Sequence, residues 1–410
     1  MSDQLKTHQL IIIGGGAAGF FGAITAGEAG LKDILILEKG PEILTKVRIS
    51  GGGRCNVTHD CYDPRELITN YPRGHKNLVG PFHRFQPADT ITWFESHGVD
   101  LKVEDDGRMF PVTNTSQTII DCLTNAARDA GITWRTHCGV DHVRKIPEGF
   151  EIETNTGELH RTRNLLIATG GIRSKHARTP AENLGHQLSD PVPSLFTFKI
   201  NDPRLFDLQG VSVPHAQVKA DQIETEGPLL ITHWGLSGPA ILKNSAWGAR
   251  SLAENDYKFT IEINWTGHKT KDDLDQIFAD HRRNHGVWKV VKRSLIEGIT
   301  KRLWQRMCHT ANIGEDTTWS NITKSQTDKL TNELIASKFQ VEGKSLNKDE
   351  FVTCGGVALD DLQLKTMESK TVPHLYFAGE VLDLDGITGG FNFQAAWTTG
   401  YLAGQAIAAS

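Results

Sequence analysis

The sequence lacks the patterns that would settle its chemistry early. Its six cysteines (Cys55, Cys61, Cys122, Cys138, Cys308, Cys354) form no CxxC pair and no zinc-type spacing. That excludes a thioredoxin-like redox motif and the common structural zinc sites, and no metal is expected. Five residues separate Cys55 from Cys61, a spacing that fits no redox motif, so free thiols in a reducing cytosol are expected. No run of one charge sign is long enough to act as an interaction tail. The formal net charge of −5 argues against a dominant electrostatic nucleic-acid footprint, and no nucleic-acid partner is expected. Repeats and low-complexity tracts are absent. One stretch imitates a leader peptide or a short membrane span: Gln9 to Gly27 carries no charged side chain and follows Lys6. It holds six glycines, however, and its apolar pattern changes halfway, so it reads as strand, turn and helix. No other segment suggests insertion, and a cytoplasmic protein without a membrane partner is expected.

What is present starts with an ordinary soluble composition over 410 residues, enough for two or three domains. Leu10 to Ile13 is a short apolar run bounded by glycine, the mark of a buried parallel strand. Gly14, Gly16 and Gly19 then fit GxGxxG, and a helical pattern with Phe20 and Ile24 follows. A second buried strand, "DILILEKG", ends in Glu38, nineteen residues after Gly19. A dinucleotide fold places there the acid that binds a ribose hydroxyl pair. Gly14 allows the tight turn, Gly16 admits a pyrophosphate, and Gly19 lets helix and strand pack closely. The phosphate charge would rest on the helix N-terminus. FAD and NAD share this fingerprint, so the first forty residues leave the choice open.

The C-terminal end narrows it. A strand from Leu375 to Ala378 delivers Gly379-Glu380; a loop with Asp383 and Asp385 follows; Gly389-Gly390 open an apolar helix. A flavin needs an acid beside its ribityl chain and a helix start aimed at the N1–C2=O edge of the ring. A third strand, "RNLLIATGG", ends in Thr169-Gly170 and follows an alternating stretch with turns at Pro147–Gly149 and Asn155–Gly157, read as an antiparallel meander. This order belongs to FAD-binding folds of the two-dinucleotide type. The second GxGxxG of a dedicated NAD(P)H domain is missing.

The blocks "IIIGGGAAG", "ISGGGRCN", "THWGLSGPAIL", "CGGVALDDL" and "YFAGEVLDLDGITGGFNFQAAWTTG" together resemble the aminoacetone-oxidase-like flavoproteins, an FAD family whose relatives include bile-acid reductases. The motifs run from residue 10 to residue 403. The resemblance implies an α/β fold: a Rossmann-like FAD-binding domain in two segments (1–191 and 351–410) around an inserted α+β domain (192–350). The insert is expected to have a barrel-like β part over about 192–265 and a helical part over about 266–340. It implies non-covalent FAD held by Gly14, Gly16, Ala17, Ala18, Gly19, Glu38, Lys39, the Lys46–Asn56 loop and a backbone contact near Val140. Thr169, Gly170, Gly379, Glu380, Asp385 and the run Gly389, Gly390, Phe391, Asn392, Phe393 complete that set. Within the loop, Ser50, Gly51, Gly52, Gly53, Arg54, Cys55 and Asn56 are the named contacts, with the three glycines lying bare against the cofactor. Two positions depart from the family pattern: Cys354 stands where alanine or a larger polar residue is expected, and Arg48 where an apolar one is expected.

The insert carries strand-like segments, then a helix for which Ser237 is the expected N-cap and Pro239 the first turn. His233, in "ITHWGLSG", is a candidate acid/base; Trp234 is expected in the core. Arg54 and Cys354 complete the catalytic candidates, Cys354 also reading as a small buried residue. The leading expectation is an FAD-dependent oxidoreductase that passes hydride between flavin N5 and a small organic substrate such as an amine, sitting between flavin and insert. The second is an NAD(P)H-dependent reductase of an enone or steroid-like C=C bond, with NAD(P)H a transient reductant. The third is a flavin-bearing RNA-modification or binding protein, against which the lack of a basic stripe counts.

Overall fold

The computed structural model describes residues 7–345 and 352–410. Lys6 and the expected domain boundary at residues 350 and 351 lie outside them. The chain divides into two compact units, Met1–Pro193 with Lys348–Ser410, and Ser194–Asn347.

The first unit is built on β1 (Thr7–Ile13), α1 (Ala17–Glu28), β2 (Ile34–Leu37), α2 (Ser116–Asp129), β3 (Thr133–Arg135), β4 (Val140–Ile146), β5 (Gly149–Thr154), β6 (Leu159–Ile167), β7 (Leu375–Phe377) and α3 (Phe391–Ala408). Strands β7, β6, β1, β2 and β3 lie side by side in that order, all parallel. The Ile and Leu side chains of β1 and β2 are buried on both faces, as parallel strands covered by helices require. The β4–β5 meander joins the sheet along β6. Helix α2 has Thr115 as its N-cap, whose side chain accepts from the Gln117 N–H at 3.3 Å.

Helices α1 and α3 pack backbone against backbone. A Cβ on Gly404 would lie 2.5 Å from Gly22 O, and one on Gly22 would lie 3.2 Å from Gly400 O. Side chains larger than hydrogen would force the two helices apart. Beside this contact, Phe21 meets Trp93 at 4.8 Å and Trp397 at 5.3 Å between ring centroids. The cluster ties both helices to one core.

The second unit is antiparallel. Its strands run Ser337–Val341, Phe259–Asn264, Ser212–Ala220, Ile223–Ile231, Gly235–Ser237, Thr197–Lys199 and Gly343–Ser345 across the sheet. The two edge strands are consecutive in the chain, with Glu342 alone between them. One edge therefore continues directly into the other, and the sheet curls into a barrel. This corrects the simple division into a β part followed by a helical part: the barrel is finished by strands that come after the helices Lys271–His285, Lys301–Thr310 and Lys324–Ile335. Two further corrections concern "THWGLSG". The helix Pro239–Trp247 is capped by Gly238 at φ 92°, while the Ser237 hydroxyl is 2.9 Å from the Thr197 hydroxyl. Trp234 is 60% exposed, because it sits in the turn between two hairpin strands.

No helix among the described residues is long and apolar enough to cross a membrane.

Candidate functional site

The register of the parallel strands builds the site. Ile13 pairs with Leu37 and with Ile167, and Ile167 pairs with Phe377. Four strands thus end on one line. Gly14, Glu38, Ala168-Thr169-Gly170 and Ala378-Gly379-Glu380 leave the sheet at the same edge, where ligands bind in open α/β folds. Backbone bonds continue one residue past the ladders: Gly14 N–H donates to Leu37 O at 2.8 Å, and Ala168 N–H to Ile13 O at 2.8 Å. Lys39 and Val140 flank this edge, since Cys138 N–H donates to Glu38 O at 2.8 Å one residue pair before β4 begins at Val140.

Glu38 already holds the loop it serves. One carboxylate oxygen accepts from Gly15 N–H at 2.7 Å, the other from Gly40 N–H at 2.6 Å. A carboxylate retains further lone pairs, so ribose hydroxyls remain compatible. Glu380 accepts from Thr353 N–H at 2.8 Å and pairs with Lys46. That contact draws the Lys46 end of the glycine loop toward β7.

Triple glycine Gly51–Gly53 follows a helical turn that begins at Thr45. All three have left-handed φ, +57°, +68° and +84°. A side chain is costly there whatever the space around it. A Cβ on Gly51 would press on Phe110 at 2.9 Å, whereas one on Gly52 or Gly53 would meet no protein atom within 4 Å. The loop is bare first because of its backbone, and it leaves open space beside Gly52 and Gly53. The Ser50 hydroxyl donates back to Val47 O at 3.0 Å. Arg54 lies over the Phe110 ring at 3.9 Å and donates to Glu104 at 2.6 Å, so its charge is partly matched within the protein. Cys55 is buried, and burial pushes its thiol up to about 12; it is no nucleophile. Arg48 is exposed, donating to Gln117 at 2.9 Å.

The segment after the loop is gripped by the C-terminal helix. Trp397 Nε1 donates to Val57 O at 2.9 Å. Gln394 Oε1 accepts from Thr58 at 2.6 Å and from Thr90 at 2.9 Å, all three side chains fully buried. In the orientation that satisfies its neighbours, the Asn56 amide accepts from Gly390 N–H at 3.0 Å. Asn392 clamps its own turn, exchanging 2.9 Å bonds with Gly386 N–H and C=O. Buried polar groups with partners fix one arrangement; the same groups unpaired would be costly.

Sequence reasoning missed several members. Tyr71, fully buried, donates to Phe391 O at 2.6 Å, and burial holds its hydroxyl far above the ordinary range. Arg73 pairs with the fully buried Asp385, so Asp385 anchors the loop before α3. His59 stacks on Phe391 at 4.6 Å, 21° between planes, while Phe393 stacks on Trp397 at 5.6 Å. Tyr71, Arg73 and His59 carry no local signal; only their pairing with distant Phe391 and Asp385 reveals them. Cys354 is buried, next to the Thr353 N–H that serves Glu380. His233 belongs to the second unit and is exposed.

FAD fits this edge on one observation. Helix α1 opens at Gly16 without a side-chain cap and without an acid in its first turn, with Ala17, Ala18 and Gly19 leading into it. A Cβ on Gly16 would meet nothing within 4 Å. An uncapped helix start facing open space suits a pyrophosphate. Helix α3 also opens without an acid in its first turn.

Residues 8–406 match the HI0933-like protein Rossmann domain. The chain belongs to that family. It is a flavin-dependent oxidoreductase with an FAD-type nucleotide-binding fold. The ribosomal RNA dihydrouridine synthase of Escherichia coli K12 is 31% identical over 99% of this chain and 99% of its own. The 3-dehydro-bile acid delta(4,6)-reductase of Clostridium scindens is 27% identical over 98% of this chain and 99% of its own. Among solved structures, 3-ketosteroid delta1-dehydrogenase from Sterolibacterium denitrificans superposes with a TM-score of 0.52 at 12% identity, covering 98% of this chain and 99% of that one, a likeness of fold.

Proposed function

We propose that this protein reduces a C=C bond conjugated with a carbonyl, and that its substrate is a uridine of ribosomal RNA. The observation that carries the reading is end-to-end similarity to a ribosomal RNA dihydrouridine synthase at 31% identity. The bile-acid reductase relative supports the chemistry. Its name specifies double bonds conjugated with a 3-keto group, and the C5=C6 bond of uracil is likewise conjugated with the C4 carbonyl. Reduction of the uracil bond adds a hydride to C6, the carbon β to that carbonyl, and a proton to C5, the α carbon. When bound, FAD supplies that hydride from its reduced ring, with NAD(P)H as the source of the two electrons.

The chain supplies the rest. Glu38, Glu380 and the uncapped start of α1 bind and orient. Arg54, held by Glu104 and Phe110, offers charge to the developing oxyanion. We assign His59 as the proton source, because its ring stacks on Phe391 in the first turn of α3. His59→Asn should then keep flavin and lose rate; an unchanged rate removes His59 from the mechanism.

The test uses purified FAD-loaded protein, NADPH and deproteinised ribosomal RNA lacking the modification. Mass analysis of nucleosides should find uridine gaining two hydrogens. A second reading, reduction of a free cyclic enone, is favoured by the bile-acid reductase relative. Turnover of a 3-keto-4-ene steroid with no change in RNA would select it.

A further inference from the structure

The net charge of −5 is an average over an uneven surface. Residues 281–306, HRRNHGVWKVVKRSLIEGITKRLWQR, hold eight Lys and Arg side chains against one acid, Glu297. Some of these cations are used within the second unit. Arg282 donates to Trp319 O at 2.8 Å, Arg283 pairs with Asp280, and Lys289 pairs with Asp316. Lys292 and Arg293 are exposed, and no ion pair among the described residues engages them.

Aromatic rings share this face. Trp288 is 50% exposed and is braced by His285, stacked at 4.2 Å and 23°. The His281 ring lies 5.9 Å from Trp288 and 5.2 Å from the buried Trp319. Burial and the nearby His285 and Arg293 hold the His281 imidazole below its ordinary range. His281, Trp288, Trp319, Lys289, Lys292 and Arg293 line a cleft of about 220 Å³. A water takes about 30 Å³, so the cleft has room for a planar ring. Cations at the margin of exposed aromatic faces match the needs of single-stranded nucleic acid: phosphates on the charges, bases on the rings.

We propose that this face of the second unit binds single-stranded RNA, one base stacking on Trp288 and phosphates meeting Lys292 and Arg293. The proposal rests on the reading that ribosomal RNA is the substrate, and it assigns RNA a binding surface on the second unit. Hydride transfer does not enter it.

The experiment measures binding of a labelled single-stranded ribosomal RNA fragment to the FAD-loaded protein over a series of salt concentrations. Replacing Lys292 and Arg293 together by Gln should flatten the log–log salt slope by about 1.4, at roughly 0.7 per phosphate contact. Trp288→Ala should weaken binding between about fivefold and about a hundredfold, with the slope unchanged. Trp288→Phe, which retains a stacking face, should restore most of the loss and serves if the alanine variant does not fold. Flavin content should be unaltered in all three. Wild-type affinity and slope in the variants would overturn the proposal, while dihydrouridine formation in the same samples would leave the substrate reading intact. A wild-type protein that neither binds the RNA nor modifies it would remove both. Self-association that Trp288→Ala abolishes, with RNA binding unaffected, would give the face to a second copy of the chain and overturn the proposal.

Discussion

The two units bury their strands in opposite ways, and the difference decides what each can do. In the first, parallel strands end in register, so distant loops gather on one edge. Chemistry there is made of backbone: glycines, N–H groups and two carboxylates already bonded to the loops they position. In the second, antiparallel strands close on themselves through the bend at Glu342, and helices cover the result. Its edges are consumed, and what it presents outward is side chains, including exposed Trp234 and Trp288 and the cations between residues 281 and 306. A backbone site tolerates few substitutions. A side-chain surface tolerates many.

That contrast can be broken by mutation. The largest effect is expected from Gly52→Val. A left-handed conformation costs a non-glycine residue about 1–2 kcal/mol, and the added methyl groups would fill the open space beside the loop. Because a Cβ there meets no protein atom within 4 Å, the chain should still fold, yet purify without flavin colour. Normal flavin content would show that the loop does not face the cofactor. Next, Asp385→Ala strips the charge partner from Arg73, only 16% exposed. Breaking such a buried pair costs about 3–5 kcal/mol, which thermal unfolding would register as a large fall in Tm. A fall of a degree or less would mean the ion pair does not anchor the loop.

Alkaline pH should weaken both units. Burial raises the Cys55, Cys122 and Cys308 thiols from 9.0 to about 12. The folded chain keeps protons that the unfolded chain gives up across that interval. Stability from this source is full below pH 9 and is lost as pH rises toward 12. Melts across the interval check it, and alanine at the three positions should flatten the decline. The smallest effect is a local one. Thr270→Ala removes the cap of the helix Lys271–His285, where Thr270 Oγ1 accepts from Asp273 N–H at 3.3 Å. About 1 kcal/mol should be lost with flavin content untouched. Flavin loss here would contradict the division of labour between the units.

Sequence patterns revealed the parallel core because its signals are local. Leu10 to Glu38 is one strand, one turn, one helix and one strand, each with its own period and punctuation. The C-terminal Gly-Glu and Gly-Gly signals were legible for the same reason. The grips between the ends were not: Tyr71 and Phe391, Arg73 and Asp385, and Thr58 and Gln394 are each more than 300 residues apart. No window of sequence contains both partners. The barrel escaped in part because its closing strands follow the helices. Trp234 was misplaced because an aromatic residue beside a strand reads as core, whereas here it occupies a hairpin turn. Net charge concealed the cationic face, since acids elsewhere in the chain cancel it in the sum.

The most direct test of the account follows the flavin itself. The protein is reduced with NADPH without oxygen, then mixed with ribosomal RNA lacking dihydrouridine. The account predicts that the oxidised flavin band returns, with one dihydrouridine gained for each flavin reoxidised. A band that stays bleached with this RNA, or a purified protein that carries no flavin at all, would contradict it.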